Sequence, residues 1–167
     1  MEVITAPTLV DTERIYMRPT VFLAGSIEMG KAINWQQGIA TELQDLDGVL
    51  LDPRRADWDP AWEQSIDNPY FREQVEWELE GLDIHSTIQF FHFQPDTMSP
   101  ITLMELGLIA RSLSLATIVH CPKGFWRKGN VDILCAKYNI PVYTDWNEAL
   151  GRLRWAVTQQ NAVRDDS

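Results

Sequence analysis

The sequence predicts one α/β domain on a five-stranded parallel sheet, and three observations predict it. From residue 20 onward, short β-branched or apolar runs alternate with longer segments of helical period. No internal repeat or linker interrupts that alternation. The length of 167 residues suits a single core of good size and leaves no room for a second full domain.

The apolar run Thr20 to Ala24 is the first predicted strand; a turn at Gly25 and Ser26 follows, then a helix from Ala32 to Leu46. Val49 to Asp52 is the second strand, and after it comes a loop rich in Pro, Arg, Asp and Trp, Pro53 to Asp67. Asn68 before Pro69 combines an N-cap with a proline at the first helical position, opening a helix that runs to Ile84. The third strand, Thr87 to Phe93, ends in a loop closed by Ser99 and Pro100, a second start of the same kind, for a helix over Ile101 to Leu113. The fourth strand is Ala116 to Cys121, and Asn130 is expected to cap the helix after it. Pro141 to Tyr143 forms the fifth strand and Trp146 to Thr158 the last helix. Residues 1–19 read as an N-terminal extension, 20–160 as the domain proper and 161–167 as a frayed polar tail.

Fourteen basic against 24 acidic residues give a net charge of −10, and the pI is near 4.6. A nucleic-acid polymer or an anionic membrane would ask for a basic face, so neither is an expected partner. No apolar run reaches the roughly 20 residues of a membrane span, and Glu2, Asp11 and Glu13 are unlike the basic start of a signal peptide, so a cytoplasmic location is expected. Cys121 and Cys135 are read as free thiols, and His85, His92 and His120 as histidines at the core's edge, with no metal site among them.

Ligands of such sheets bind at the carboxyl ends of the strands, which directs attention to the loops there. The segment from Gly25 to Ala32 nearly spells a phosphate-binding P-loop. Ala32 stands where a magnesium-holding hydroxyl belongs, and Glu28 adds a negative charge to the cradle, so no nucleoside triphosphate is expected there. Instead, Gly25 and Ser26 offer a tight turn with a small hydroxyl.

Two carboxylates break the pattern of their own helices. Glu105 is the one charge between Ile101 and Ala110, on a face shared with Ile101, Leu108 and Ile109. A buried carboxylate needs a partner or a use; an ion pair with Arg111 is the structural explanation, and the helix amino terminus is expected to favour its ionised form. Glu78 falls within the apolar stripe of Phe71, Val75, Leu79 and Leu82, away from the solvated Glu73, Glu76 and Glu80. One nucleophilic carboxylate and another able to hold a proton are what cleavage at an anomeric carbon requires. Asp57 and Trp58, in the loop after the second strand, supply an acceptor and a stacking plane suited to a nucleobase. Between Gly124 and Asn130, Phe125 and Trp126 are expected on the surface, a poor exterior for a monomer.

Taken in order, Val21 to Ile27, Pro53 to Arg55 with Asp57 and Trp58, Trp77 to Leu82, Ser99 to Gly107 and Gly124 to Asn130 resemble the nucleoside 2-deoxyribosyltransferase family. The resemblance implies a flavodoxin-like sheet, no cofactor, and a homo-oligomer with active sites shared between subunits. It assigns the nucleophile to Glu105, the base-contacting carboxylate to Glu78, and the group that a neighbouring subunit lends to the sugar 5′-hydroxyl to Asn130. Phe22 stands where some members carry a Tyr, and Ser99 where they carry an Asp. The substrates implied are a 2′-deoxynucleoside and a free nucleobase. An N-glycosidase on the same fold, using water in place of the second base, and a nucleoside sensor without turnover are the alternatives.

Overall fold

The computed structural model describes residues 1–27, 34–112 and 116–165. Its sheet is parallel throughout the described residues: β1 (Glu2–Thr5), β2 (Thr20–Gly25), β3 (Val49–Asp52), β4 (Ile88–His92), β5 (Ala116–His120) and β6 (Val142–Tyr143), in the order β1-β3-β2-β4-β5-β6. The flavodoxin-like α/β class therefore holds, with six strands in place of the five expected. The extra strand comes from the N-terminal extension, where Glu2 pairs with Val49 and Thr5 with Asp52. An edge strand has one neighbour and needs no continuous apolar run, so its sequence carries little signal.

The sheet is covered on both faces, as a parallel sheet must be. On one face lie α3 (Pro69–Glu80), continued by a π turn over Gly81–His85, then α4 (Pro100–Ile109) and α5 (Lys128–Tyr138), closing a core around Phe22, Phe91, Phe93, Trp77, Leu106 and Val131. On the other face α2 (Trp35–Glu42) and α6 (Trp146–Asp165) pack Ile39, Leu43, Leu153 and Val157 against Leu23, Leu50 and Phe90. The short α1 (Thr12–Ile15) joins the first core through Ile15. Helix α6 continues through Asp165, past the expected frayed tail, because Asn161 Nδ2 donates to the Asp47 carbonyl at 3.0 Å and Arg164 pairs with the Asp47 carboxylate.

From β2 the chain steps outward to β3, then crosses back to lay β4 on the other side of β2. In sheets of this kind the crevice lies at such a reversal, here the carboxyl ends of β2 and β4, with α3 leading into β4 and α4 leading out of it. Gly25 closes β2 at this point. A Cβ there would meet the His92 carbonyl oxygen and the Trp35 ring, each at 2.6 Å, so only glycine fits. Gly25→Ala is expected to lose about 1–3 kcal/mol through overpacking, measurable as a lower urea midpoint with an unchanged slope.

Candidate active site

Helix α4 brings Glu105 to the crevice. Pro100 fixes its first turn, and Ser99 enters it in the left-handed region at φ 46°. The Ser99 hydroxyl does not cap the helix as expected, since it bonds Ser26 and Thr97 instead. Thr102, Glu105, Leu106 and Ile109 form the buried face, and Glu105 is only 6% exposed. Its carboxylate has no hydrogen bond or ion pair among the described residues, and the Arg111 partnership is not formed. Burial first, and the charge of Glu78 second, push the Glu105 carboxyl up to about 8. The expected help from the helix amino terminus is overridden, because one partial charge a full turn away cannot replace lost hydration.

Glu78 arrives from α3, capped by the Asn68 side chain, which accepts from the Tyr70 and Phe71 backbone N–H groups. The inward face of α3 differs from the apolar stripe of the sequence: Gln74 and Trp77 are buried, followed by Gly81 and Leu82, whereas Leu79 is exposed and Phe71 and Val75 are half-buried. Glu78 is half-buried and turns its carboxyl inward, where Gln74 Nε2 donates to its Oε1 at 2.8 Å. Desolvation raises this carboxyl to about 7, and the Gln74 bond opposes the rise. Both carboxyls are thus raised toward neutrality, and the charge of Glu78 reaches Glu105.

Three hydroxyls sit at the ends of β2 and β4. Ser26 Oγ lies 2.8 Å from Thr97 Oγ1 and also bonds Ser99 Oγ, while Thr97 and Ser99 are 2.7 Å apart. All three are buried, and the Gln94 N–H donates to Ser26 at 3.2 Å. Ser26 thus ties the end of β2 to the entrance of α4. Phe22 is fully buried beneath α3, its ring 6.3 Å from that of Trp77, and Gly81 leaves room for it. The near-P-loop positions Glu28, Gly30, Lys31 and Ala32 lie outside the described residues.

The loop after β3 is an aromatic body. Arg55 holds it together: its Nε donates to Asp57 at 2.8 Å, its Nη1 to Glu73 at 2.8 Å, and its guanidinium lies 5.0 Å from the centre of the Trp62 ring. The Asp57 carboxylate is accordingly engaged by Arg55. Trp58 packs edge-on against Trp62 at 5.2 Å, with its Nε1–H buried and unpartnered. Beyond β5, Phe125 is buried against Phe93 at 4.7 Å, contrary to the expected surface pair, and Trp126 alone is exposed. The signal for this was the neighbouring Gly124, whose φ of 101° folds the loop back over the core. Asn130 lies in the first turn of α5, where it does not cap the helix, and it is exposed beside a hollow lined by Leu103, Leu106 and Arg127.

His92 and His120 stack on the opposite face of the sheet from Glu105, with Nδ1 atoms 2.7 Å apart, among Trp35 and Trp146. Burial holds His92 down at about 3, so the pair shares one ring proton as neutral imidazoles. Cys121 and Cys135 are free, buried thiols raised by burial to about 11 and about 12. No group of three metal-ligating side chains occurs among the described residues, and no helix there is long and apolar enough to cross a membrane.

Two desolvated carboxyls thus stand on the helices before and after β4 of a doubly covered parallel α/β sheet. Residues 18–125 match the family described as nucleoside 2-deoxyribosyltransferase like, which is well over half the chain, and the protein belongs to that family. Among curated proteins none matches the chain.

Proposed function

We propose that the protein exchanges the nucleobase of a 2′-deoxynucleoside through a deoxyribosyl-enzyme ester. The observation that carries this reading is the Glu105 carboxylate, buried, without a hydrogen bond among the described residues, and within the field of the inward Glu78 carboxyl. An ionised Glu105 attacks C1′, forming a C1′–O bond as the C1′–N bond breaks, and Glu78 gives its proton to the departing base nitrogen. The incoming base then attacks C1′, the ester opens, Glu105 regains its carboxylate, and Glu78 takes the proton the new base sheds. Two inversions give net retention. The protein's own groups suffice for these steps without a cofactor. Trp58 serves the base as a stacking plane, and the Gly25 turn, Ser26 and Phe22 shape the floor.

Incubating deoxyinosine with adenine tests this directly. Deoxyadenosine is the expected product. Release of free hypoxanthine and deoxyribose alone would assign a glycosidase, and ligand-induced stabilisation without turnover would assign a sensor.

The site is completed, on this reading, by a second copy of the chain. Ile101, Met104 and Leu108 line one side of α4 at 55%, 58% and 56% exposure, an apolar stripe on the helix that carries Glu105. Asn130, outward-facing on α5, is the residue such a neighbour would lend. Glu105→Ala and Asn130→Ala proteins are each expected to be nearly inactive, and mixing them with subunit exchange should restore part of the activity. No recovery despite proven exchange would reject the shared site.

A further inference from the structure

Gln74 is a buried polar residue of this crevice that the steps above leave without a task. It precedes Glu78 by one helical turn on α3, so the two side chains share a face, and it is 4% exposed. Its Nε2 uses both hydrogens: one bonds the Pro53 carbonyl at 2.8 Å, the other Glu78 Oε1 at 2.8 Å. The Pro53 carbonyl can only accept, so the amide cannot turn over to offer Glu78 its oxygen. That orientation leaves Gln74 Oε1 buried with no partner among the described residues. An unmade buried acceptor is destabilising, and an apolar side chain of the same size would avoid that cost. A stabilising role alone therefore does not account for a glutamine here, whereas an N–H held against one oxygen of Glu78 does.

We propose that Gln74 is the positioning residue of the acid: seated on the Pro53 carbonyl, it donates to Glu78 Oε1 and thereby reserves Oε2 for the proton given to the leaving base. The carbonyl-like oxygen of a carboxylic acid is the better acceptor, so an N–H fixed on Oε1 draws the hydroxyl to Oε2. The bond also limits the rotation of Glu78, whose charge reaches Glu105 on α4. This proposal rests on the reading of Glu78 as the general acid.

The test uses Gln74→Met, which keeps the volume and removes the N–H. In a Glu105→Gln background, where Glu78 titrates without its coupled neighbour, carbon-13 NMR of labelled glutamate carboxyls follows Glu78 without any turnover. Losing a donor that favours the ionised form should move its titration upward by about half a pH unit to one unit. In the otherwise native protein, Gln74→Met should lose about a hundredfold in kcat with deoxyadenosine, the scale of a misplaced reacting group. With 7-methyl-2′-deoxyguanosine, whose cationic base departs without a proton, the loss should stay within about threefold. An unmoved titration together with equal losses on both substrates would overturn the proposal and leave Gln74 a packing residue. If the parent protein turns over neither substrate, the proposed reaction fails instead, and the titration still decides whether Gln74 holds Glu78. Should Gln74→Met melt below the assay temperature, Gln74→Leu gives the same discrimination, since it too is apolar and offers no donor.

Discussion

Glu105→Gln is expected to lose base exchange by several orders of magnitude and at the same time to become more stable than the parent protein at alkaline pH. The loss follows because, in the proposed reaction, Glu105 is the group that bonds C1′ and an amide is a far poorer nucleophile. The gain follows from linkage. Burial and the field of Glu78 raise the Glu105 carboxyl from an ordinary 4.5 to about 8 in the folded protein. A group raised on folding contributes stability fully below its unfolded value and loses it as pH rises through the folded one. The parent should therefore weaken between about pH 4.5 and pH 8, while an amide at 105 has nothing to ionise. Chemical denaturation across this range should show Glu105→Gln ahead by a few kcal/mol at the alkaline end, with the gap closing toward pH 4.5. An active Glu105→Gln protein, or a gap that does not change with pH, would contradict the account. A site that destabilises its own fold in the state needed for attack is the usual compromise between stability and function.

The second large effect concerns Glu78. Glu78→Gln should slow exchange of natural bases by about a hundredfold to ten-thousandfold, the span that general acid catalysis usually supplies, and should slow 7-methyl-2′-deoxyguanosine far less. Removing the Glu78 charge should also let Glu105 ionise at lower pH, because that charge is the second cause of its elevation. The acid limb of activity toward the 7-methyl substrate should then move downward. Equal slowing of both substrates with an unmoved limb would reduce Glu78 to a shaper of the pocket.

Strands buried on both faces announce themselves. Val49 to Asp52 was readable to the residue, because an unbroken apolar run between turn signals has few other solutions. Glu105 stood out for the same reason, as one charge in an apolar helix. The inward face of α3 was harder, since it is built around Gln74 and Glu78, and hydrophobicity does not report a face whose purpose is polar. The inward placement of the Glu78 carboxyl was legible only through a stripe that the fold turns partly to solvent, with Leu79 exposed. A Gln one turn before an inward Glu was the available clue to Gln74. Helix α4 is apolar on nearly every side, so its sequence offered no contrast between Leu106, which is buried, and Ile101, Met104 and Leu108, which are not. Arg55 was hidden by distance, because its partner Glu73 lies on another element and no spacing rule joins them.

The central claim is that Glu105 forms a bond to deoxyribose, and intact-protein mass spectrometry after rapid acid quench with deoxyinosine tests it most directly. The account predicts an added deoxyribosyl mass that peptide mapping places on Glu105, that free adenine discharges, and that Glu105→Gln never acquires. Turnover with no adduct at any quench time, or an adduct on another residue, would contradict it.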